Sequence, residues 1–202
     1  MASKLVVSTF ITFDGIMQGP GGAGEDDSNG FQHGGWLPPY VDEGFNEIMG
    51  AHFERADGML LGRRSYDILS SFWPDVPDEE GGEKINGMAK YVTTRSPMTA
   101  SWNNTEVLVG EAAETVAELK RRTDGEILVQ GSSELIPALH AAGLVDEYSL
   151  LVAPVVLGQG KRLFPEGGAP SGMRLVSATT TEAGIVHIVY RPTGKPEYGT
   201  VA

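Results

Sequence analysis

Runs of apolar residues divide the chain into predicted strands and helices. Residues 5–13 are mostly apolar and β-branched, which is typical of a strand buried on both faces. A segment rich in Gly, Asp and Asn follows over residues 14–39, and a loop of this length predicts a functional or a disordered segment. Apolar residues then recur at helical spacing and predict an amphipathic helix over about 41–55, namely Val41, Phe45, Ile48, Met49, Phe53 and Ala56.

Strands and helices alternate through the rest of the chain. The predicted strands cover residues 58–61, 91–94, 106–109, 127–129 and 147–156, and the predicted helices cover 63–71, 111–122 and about 133–142. Ser132 or Ser133 is expected to cap the last of these helices. Residues 75–87 are acidic and predict a loop, and residues 174–181 and 185–191 predict a C-terminal hairpin.

This order predicts one α/β domain. Alternating strands and helices that close with a hairpin indicate a mostly parallel mixed sheet with an antiparallel C-terminal hairpin, and helices on both faces. Because the long loops are followed by elements that one core needs, we expect a single domain over residues 1–192 and a loose C-terminal tail over residues 193–202.

Composition narrows the range of partners. The chain of 202 residues carries a formal net charge of -12, so its surface repels nucleic-acid phosphates and anionic membranes, and we expect neither as a partner. It has no cysteine, which excludes disulfides, thiolate metal sites and cysteine nucleophiles. The histidines lack metal-ligand spacing, so no metal site is expected. No apolar run resembles a signal peptide or a membrane span, which favours a cytoplasmic location.

The junction between the 58–61 strand and the helix that follows is a candidate phosphate site. Its residues are Gly62, Arg63, Arg64 and Ser65. Glycine lets the backbone turn, the start of a helix exposes unpaired N–H groups, and arginines add charge-assisted hydrogen bonds. A plain helix start with two solvated arginines fits the same residues equally well.

Two further strand ends carry weaker signals. Gln130, Gly131, Ser132 and Ser133 form a second strand-to-helix junction, although a capped helix explains it as well. Thr93, Thr94 and Arg95 follow another strand and suit the 2′-phosphate of NADPH, although Arg95 also fits a surface turn. Ligands of open α/β sheets bind at the carboxyl ends of strands, where all three junctions lie.

The order of these junctions resembles the dihydrofolate reductase family, and most closely its branch shared with the reductase domain of riboflavin biosynthesis. Residues 8–15 resemble the family's first strand and its Asp-Gly ending, and residues 62–66 resemble its glycine–arginine helix start. The segments Leu144–Glu147, Ala153–Pro154, Leu157–Gly160 and Leu163–Phe164 are the most specific to that branch. The resemblance covers about residues 3–191.

The resemblance implies hydride transfer from NADPH to a C=N or C=O bond of a small heterocyclic substrate. It places the cofactor on the three junctions. Asp14 is the candidate to orient substrate or relay a proton, although it also fits a turn before Gly15. Trp36 and Phe45 are candidates to stack on a flat substrate, although core packing explains Phe45 better. The resemblance also implies a homodimer formed through the C-terminal strands. Residues 16–39 are expected to act as a lid over the nicotinamide.

Two departures from the family keep a second interpretation open. The riboflavin branch has Glu-Gly-Gly where this chain has Gln130-Gly131-Ser132, and the position of the folate-reductase carboxylate corresponds to Val41. A protein without these carboxylates could keep the pocket and lose turnover. The alternative is therefore a non-catalytic protein that binds NADP(H) or a flavin nucleotide.

Overall fold

One eight-stranded mixed sheet organises the described part of the chain. The computed structural model describes residues 2–201, apart from the side chain of Glu80. The strands are β1 Lys4–Thr12, β2 Gly58–Gly62, β3 Ala89–Thr94, β4 Thr105–Val109, β5 Glu126–Gln130, β6 Glu147–Ala153, β7 Gly172–Thr180 and β8 Val186–Gly194. The α-helices are α1 Glu43–Arg55, α2 Arg63–Ser70, α3 Gly82–Gly87, α4 Ala112–Arg122 and α5 Leu135–Ala141. Short 3₁₀ turns lie at Ser28–Gly30, Pro38–Tyr40, Trp73–Asp75 and Asp78–Glu80.

The strand order is β4-β3-β2-β5-β1-β6-β8-β7. All pairings from β4 to β6 are parallel, whereas β8 runs antiparallel to both β6 and β7. Parallel strands end at the same edge of a sheet, so the loops after β2, β3, β4 and β5 meet there. This edge therefore gathers all three predicted junctions.

Apolar residues of alternate parity fill a core on each face of the sheet. On one face Leu5 and Val7 of β1 belong to a cluster with residues of α4 and α5. On the other face Val6 packs with residues of α2 and α3, and a neighbouring cluster joins α1 to the loop between β1 and α1. Coverage on both faces explains why β1 is buried or half-buried along its whole length.

Two helix starts and one predicted loop differ from the sequence-based prediction. Helix α1 begins at Glu43 because the Asp42 carboxylate caps it by accepting a hydrogen bond from the Phe45 N–H at 2.8 Å. Residues 75–87, predicted as a loop, contain two 3₁₀ turns and α3, whose C-terminal carbonyls accept hydrogen bonds from the buried Lys90 ammonium. Helix α5 begins only at Leu135.

The predicted capping of α5 by Ser132 or Ser133 is wrong. Glu134 occupies the N-cap position and makes no capping hydrogen bond through its side chain. Gly131 and Ser132 have φ angles of +68° and +84°, which a helix cannot contain, so the chain turns once more before α5. At the other end of the chain, β8 extends to Gly194 and so includes the first two residues of the predicted tail.

A buried polar chain crosses the sheet face beneath α1. The His52 ring contacts Ser8 Oγ through Nδ1 at 2.9 Å and Ser149 Oγ through Nε2 at 2.8 Å. Ser149 Oγ also contacts Nε2 of His187 at 2.7 Å. Burial above all, together with the charges of His187 and Arg55, lowers the pKa of His52 to about 4. His52 is therefore neutral in the folded protein at neutral pH.

We expect acid to destabilise the fold through His52. Between pH 6.5 and about 4, His52 binds a proton in the unfolded chain but not in the folded protein. The free energy of unfolding therefore falls as the pH is lowered through this window. The contribution of this one group is on the order of 3 kcal/mol. Urea unfolding across the pH range measures it.

The His52→Gln variant should show a shallower fall over the same window, since glutamine does not titrate. His33→Gln, which changes an exposed histidine, is the matched control and should keep the wild-type slope. An unchanged slope in His52→Gln would contradict a buried neutral imidazole.

Candidate functional site

A cleft of about 690 Å³ opens at the carboxyl edge of the parallel strands. Every residue predicted to bind cofactor lines it, from the ends of three strands and the turns that follow. These residues are Gly62, Arg63, Arg64, Ser65, Thr93, Thr94, Arg95, Gln130, Gly131, Ser132 and Ser133. The three junctions, which are far apart in sequence, thus face one common space.

Two of the junctions touch each other. A methyl group placed on Gly62 would lie 2.1 Å from the hydroxyl oxygen of Ser132, and one placed on Gly131 would lie 3.2 Å from Ser65 Oγ. Glycine at position 62 is therefore required by the close approach of the two turns, and Gly131 is also required by its positive φ. The pair forms a narrow backbone cradle at the centre of the cleft.

One polar group of the cleft lacks a partner. Gln130 ends β5 and lines the cleft, and its Nε2 atom is buried without a hydrogen-bond acceptor among the residues that the structure describes. A buried donor of this kind costs free energy unless something accepts from it. Gln130 therefore marks a position where a ligand with an acceptor atom would be stabilised.

Every cation that lines the cleft is paired with a carboxylate. Arg63 contacts Asp67 at 2.9 Å, and Arg95 contacts Glu111 at 3.4 Å. Asp26, from the loop between β1 and α1, accepts from Arg64 at 3.0 Å and from Lys161 at 2.6 Å. This list covers the lysines and arginines of the lining within residues 2–201. The positive charge of the cleft is locally balanced.

Asp26 stays ionised at this position. Burial alone would raise the pKa of its carboxyl group, but hydrogen bonds from Lys161 and Ser28 outweigh burial and hold the pKa below its usual value. Arg64 also donates to Ser28 Oγ at 2.8 Å. The loop is thereby tied to the first turn of α2 by charge.

The predicted lid forms one wall of the cleft. Residues 17–20, 25 and 26 line it, and buried Ile16, Phe31 and Trp36 anchor the loop to the core. The Gln18 amide donates to the carbonyls of Asp26 and Ser28 and accepts from the Lys161 N–H. These bonds tie Gln18 to residues 26–28 of the same loop and to the loop after β6.

The comparison with protein families gives a match over nearly the whole chain. The model of the RibD C-terminal domain matches residues 3–187. The chain belongs to the RibD C-terminal domain family.

Known relatives and solved structures match the chain over nearly its whole length. The protein YyaP of Bacillus subtilis, described only as uncharacterized, is 27% identical over 196 residues, which are 95% of this chain and 96% of YyaP. A Shewanella sp. PV-4 protein whose name refers to riboflavin biosynthesis superposes with a TM-score of 0.69 at 21% identity, covering 96% of this chain and 99% of its own. Dihydrofolate reductase from Enterococcus faecalis, complexed with NADP(H), gives 0.59 at 15% identity, covering 96% and 99%. These superpositions confirm the predicted dihydrofolate-reductase-like fold.

Trp36 and Phe45, which were predicted to contact substrate, lie behind the residues that line the cleft. Phe45 packs on Phe10 with ring centroids 5.4 Å apart, and Phe10 lines the cleft. Trp36 donates from Nε1 to the carbonyl of Gln18 at 2.8 Å, and Gln18 lines the cleft. Both aromatic residues are buried and support residues that face the open space.

Asp14 is tied to the loop after β6. Its carboxylate accepts hydrogen bonds from the Thr12 hydroxyl at 2.6 Å and from the N–H groups of Leu157 at 3.2 Å and Gly158 at 2.8 Å. Burial would raise the pKa of Asp14, but these bonds lower it on balance. Asp14 is therefore an anion with its oxygens occupied, and it does not line the cleft.

Sequence reasoning missed Asp26, Glu111 and Lys161 as residues of the lining. Asp26 lies in a run of acidic residues, which is typical of a solvated surface. Glu111 precedes a helix, where an acidic side chain is favourable without any ligand. Lys161 follows a Gly-Gln-Gly segment that does not fit a P-loop. Asp26 pairs with Arg64 and with Lys161, which lie 38 and 135 positions away. Glu111 pairs with Arg95, and these separations leave no local pattern in the sequence.

Among the described residues, no group of three His, Asp or Glu side chains could hold a metal ion. Within the same residues, no helix combines the length and the apolar character that crossing a membrane requires.

The backbone at Ser132 predicts a stabilising substitution. Ser132→Gly should raise the free energy of unfolding by about 1 kcal/mol, because glycine adopts a φ of +84° without the steric cost that a side chain brings. Urea unfolding of both proteins measures the change.

Ser133→Gly is the matched control, since the φ of Ser133 is not positive. That variant should lose up to about 1 kcal/mol through added flexibility of the unfolded chain. Equal losses in the two variants would show that Ser132 carries no backbone strain.

Proposed function

We propose that this protein is an NADPH-dependent reductase that transfers hydride to a C=N or C=O bond of a small heterocyclic substrate. The observation that carries the proposal is the contact between the Gly62 turn and the Gly131–Ser132 turn inside one cleft. A diphosphate needs backbone that it can approach closely, and side chains are missing at the two points where such approach occurs.

The residues present fit a nicotinamide dinucleotide. The cradle at Gly62 and Gly131 would be filled by any side chain, and the buried Nε2 of Gln130 has an acceptor to gain from a ligand. Arg63, Arg64 and Ser65 would hold the phosphates with Ser132 and Ser133, and Thr94 and Arg95 would hold the 2′-phosphate. When bound, the reduced nicotinamide supplies the hydride.

The substrate would lie at the end of the cleft formed by β1 and the lid. Phe10 and Met17 line this end and give it apolar surface, while Gln18 and Lys161 add polar groups. In this proposal Phe45 and Trp36 act by supporting Phe10 and Gln18. The lid wall excludes water from the reacting atoms.

Of the two roles predicted for Asp14, its contacts favour orientation over proton relay. The carboxylate is already ionised and holds the N–H groups of Leu157 and Gly158. Lys161 follows in the same loop and reaches the cleft, so Asp14 would position this loop against the substrate.

The comparisons support a reductase. The RibD C-terminal family match covers residues 3–187, and one structural neighbour is a dihydrofolate reductase complexed with NADP(H). The resemblance extends the proposal to a cytoplasmic homodimer that forms through the C-terminal strands. Exposed Leu175 and Val176 on the edge strand β7 are available to such a contact.

A non-catalytic protein that binds NADP(H) or a flavin nucleotide is the second candidate. The observation that favours it is chemical: Gln130 stands in the cleft where the related branch has a carboxylate, and the Asp14 carboxylate is occupied by other groups. Such a protein would keep the cradle and lack a group that completes reduction.

Stopped-flow mixing separates the two candidates. The protein is mixed with NADPH and a panel of pterins, ribosylamino-pyrimidines and quinones, and the nicotinamide absorbance is followed. A reductase oxidises NADPH with at least one compound. Tight binding of NADPH with no oxidation by any compound would favour the non-catalytic protein, and a yellow chromophore after purification would favour a flavin nucleotide.

The cradle predicts a specific loss of cofactor affinity. Gly131→Ala should weaken NADPH binding by at least about tenfold, because its methyl group occupies the place of the diphosphate. Fluorescence titration gives the Kd.

Gly143→Ala is the matched control. Gly143 has a similar φ of +66° and no atom within 4 Å of an added methyl group, and it lies outside the cleft. Both variants lose stability from the strained φ, about 1–2 kcal/mol, but Gly143→Ala should bind NADPH as the wild type does. Wild-type affinity in a folded Gly131→Ala protein would remove the cradle from the proposal.

A further inference from the structure

One end of the cleft has two charged sides. Thr94 ends β3 and is followed by Arg95 and Ser96, residues 110–113 follow β4, and both segments line the cleft. The strands are neighbours in parallel register, with Thr94 beside Val109, so the two segments leave the sheet side by side. A ligand that reaches this end meets both.

Arg95 and Glu111 face each other across this end. Arg95 Nε lies 3.4 Å from Glu111 Oε1, and their side chains are 84% and 66% exposed. Glu111 is the N-cap residue of α4, yet its side chain makes no capping hydrogen bond. The carboxylate is therefore free of the helix and directed to the arginine.

NADPH and NADH differ only at the 2′ position of the adenosine ribose, which carries a phosphate in NADPH and a hydroxyl in NADH. An arginine and a glutamate at this position would distinguish the two. A 2′-phosphate is attracted by a guanidinium and repelled by a carboxylate, whereas a free ribose hydroxyl donates a hydrogen bond to a carboxylate. Arg95 thus favours NADPH. Glu111 opposes it in two ways, by repelling the phosphate and by occupying the arginine.

We propose that Glu111 is a specificity-determining residue that reduces the preference of this protein for NADPH over NADH. The inference rests on the proposed dinucleotide site and adds to it a second, opposing group. The protein accordingly binds both dinucleotides, and the balance between Arg95 and Glu111 sets their ratio.

The test compares the Kd values of NADPH and NADH in the full chain by fluorescence titration. Glu111→Gln should raise the NADPH preference, defined as Kd(NADH)/Kd(NADPH), by about tenfold, since it removes one charge beside the phosphate. The rise should shrink at high salt, because the pair is exposed.

Glu106→Gln is the matched control. Glu106 lies on β4, pairs with Arg122, has a half-exposed side chain and is outside the cleft, so its loss changes the net charge equally. It should leave the preference unchanged. Arg95→Ala should lower the preference, and Glu111→Gln should have a smaller effect in the Arg95→Ala background than in the wild type.

The outcomes separate this inference from the proposed function. If neither dinucleotide binds, the proposed function fails and the inference fails with it. If both bind and Glu111→Gln leaves the preference within about twofold of the wild type, Glu111 is only a surface partner of Arg95 and the inference alone is overturned. An equal rise in Glu106→Gln would assign the effect to net charge and overturn it as well.

Discussion

The close approach of two turns at the carboxyl edge of the sheet is the constraint on which the site depends. β5 lies next to β2, so the turn after each strand emerges beside the other, and Gly62 comes so near Ser132 that no side chain fits between them. A bulkier residue at position 62 would separate the turns and open the cradle. The packing of the Gly62 backbone against the Ser132 side chain thus defines the central part of the cleft before any charged group is considered.

The charged side chains of the cleft belong to a protein whose net charge is negative. A chain with a net charge of -12 repels anionic ligands at long range, and each cation of the cleft lining already has a carboxylate partner among the described residues. A bound phosphate would therefore compete with the carboxylates of Asp26, Asp67 or Glu111 for the same arginines. Affinity for an anion becomes a difference between two pairings, and it depends on salt less simply than in an open basic cleft.

Local sequence patterns predicted the strands and the three junctions well, because each strand carries its own apolar run, two junctions carry a glycine and the third carries hydroxyl groups beside an arginine. The patterns failed where distant contacts decide the structure. Helix α3 is short and glycine-rich, and it is held by Lys90 beyond its end. Ser132 has a left-handed backbone and lies against Gly62, a residue 70 positions earlier, and the local sequence signals neither feature. Asp26 and Lys161 meet at the cleft because the Gln18 amide and backbone hydrogen bonds of Gly15 and Met17 hold the lid loop against the loop after β6.

The polar chain beneath α1 has a consequence for proton placement. Ser149 has one hydroxyl hydrogen and contacts the Nε2 atoms of both His52 and His187. It can donate to one ring and must accept from the other, so when both rings are neutral only one of the two Nε2 atoms carries hydrogen. The tautomers of the two histidines are consequently opposite, and the tautomer of His52 also decides whether Ser8 donates or accepts. A change of tautomer at any one ring would reverse every hydrogen bond along the row.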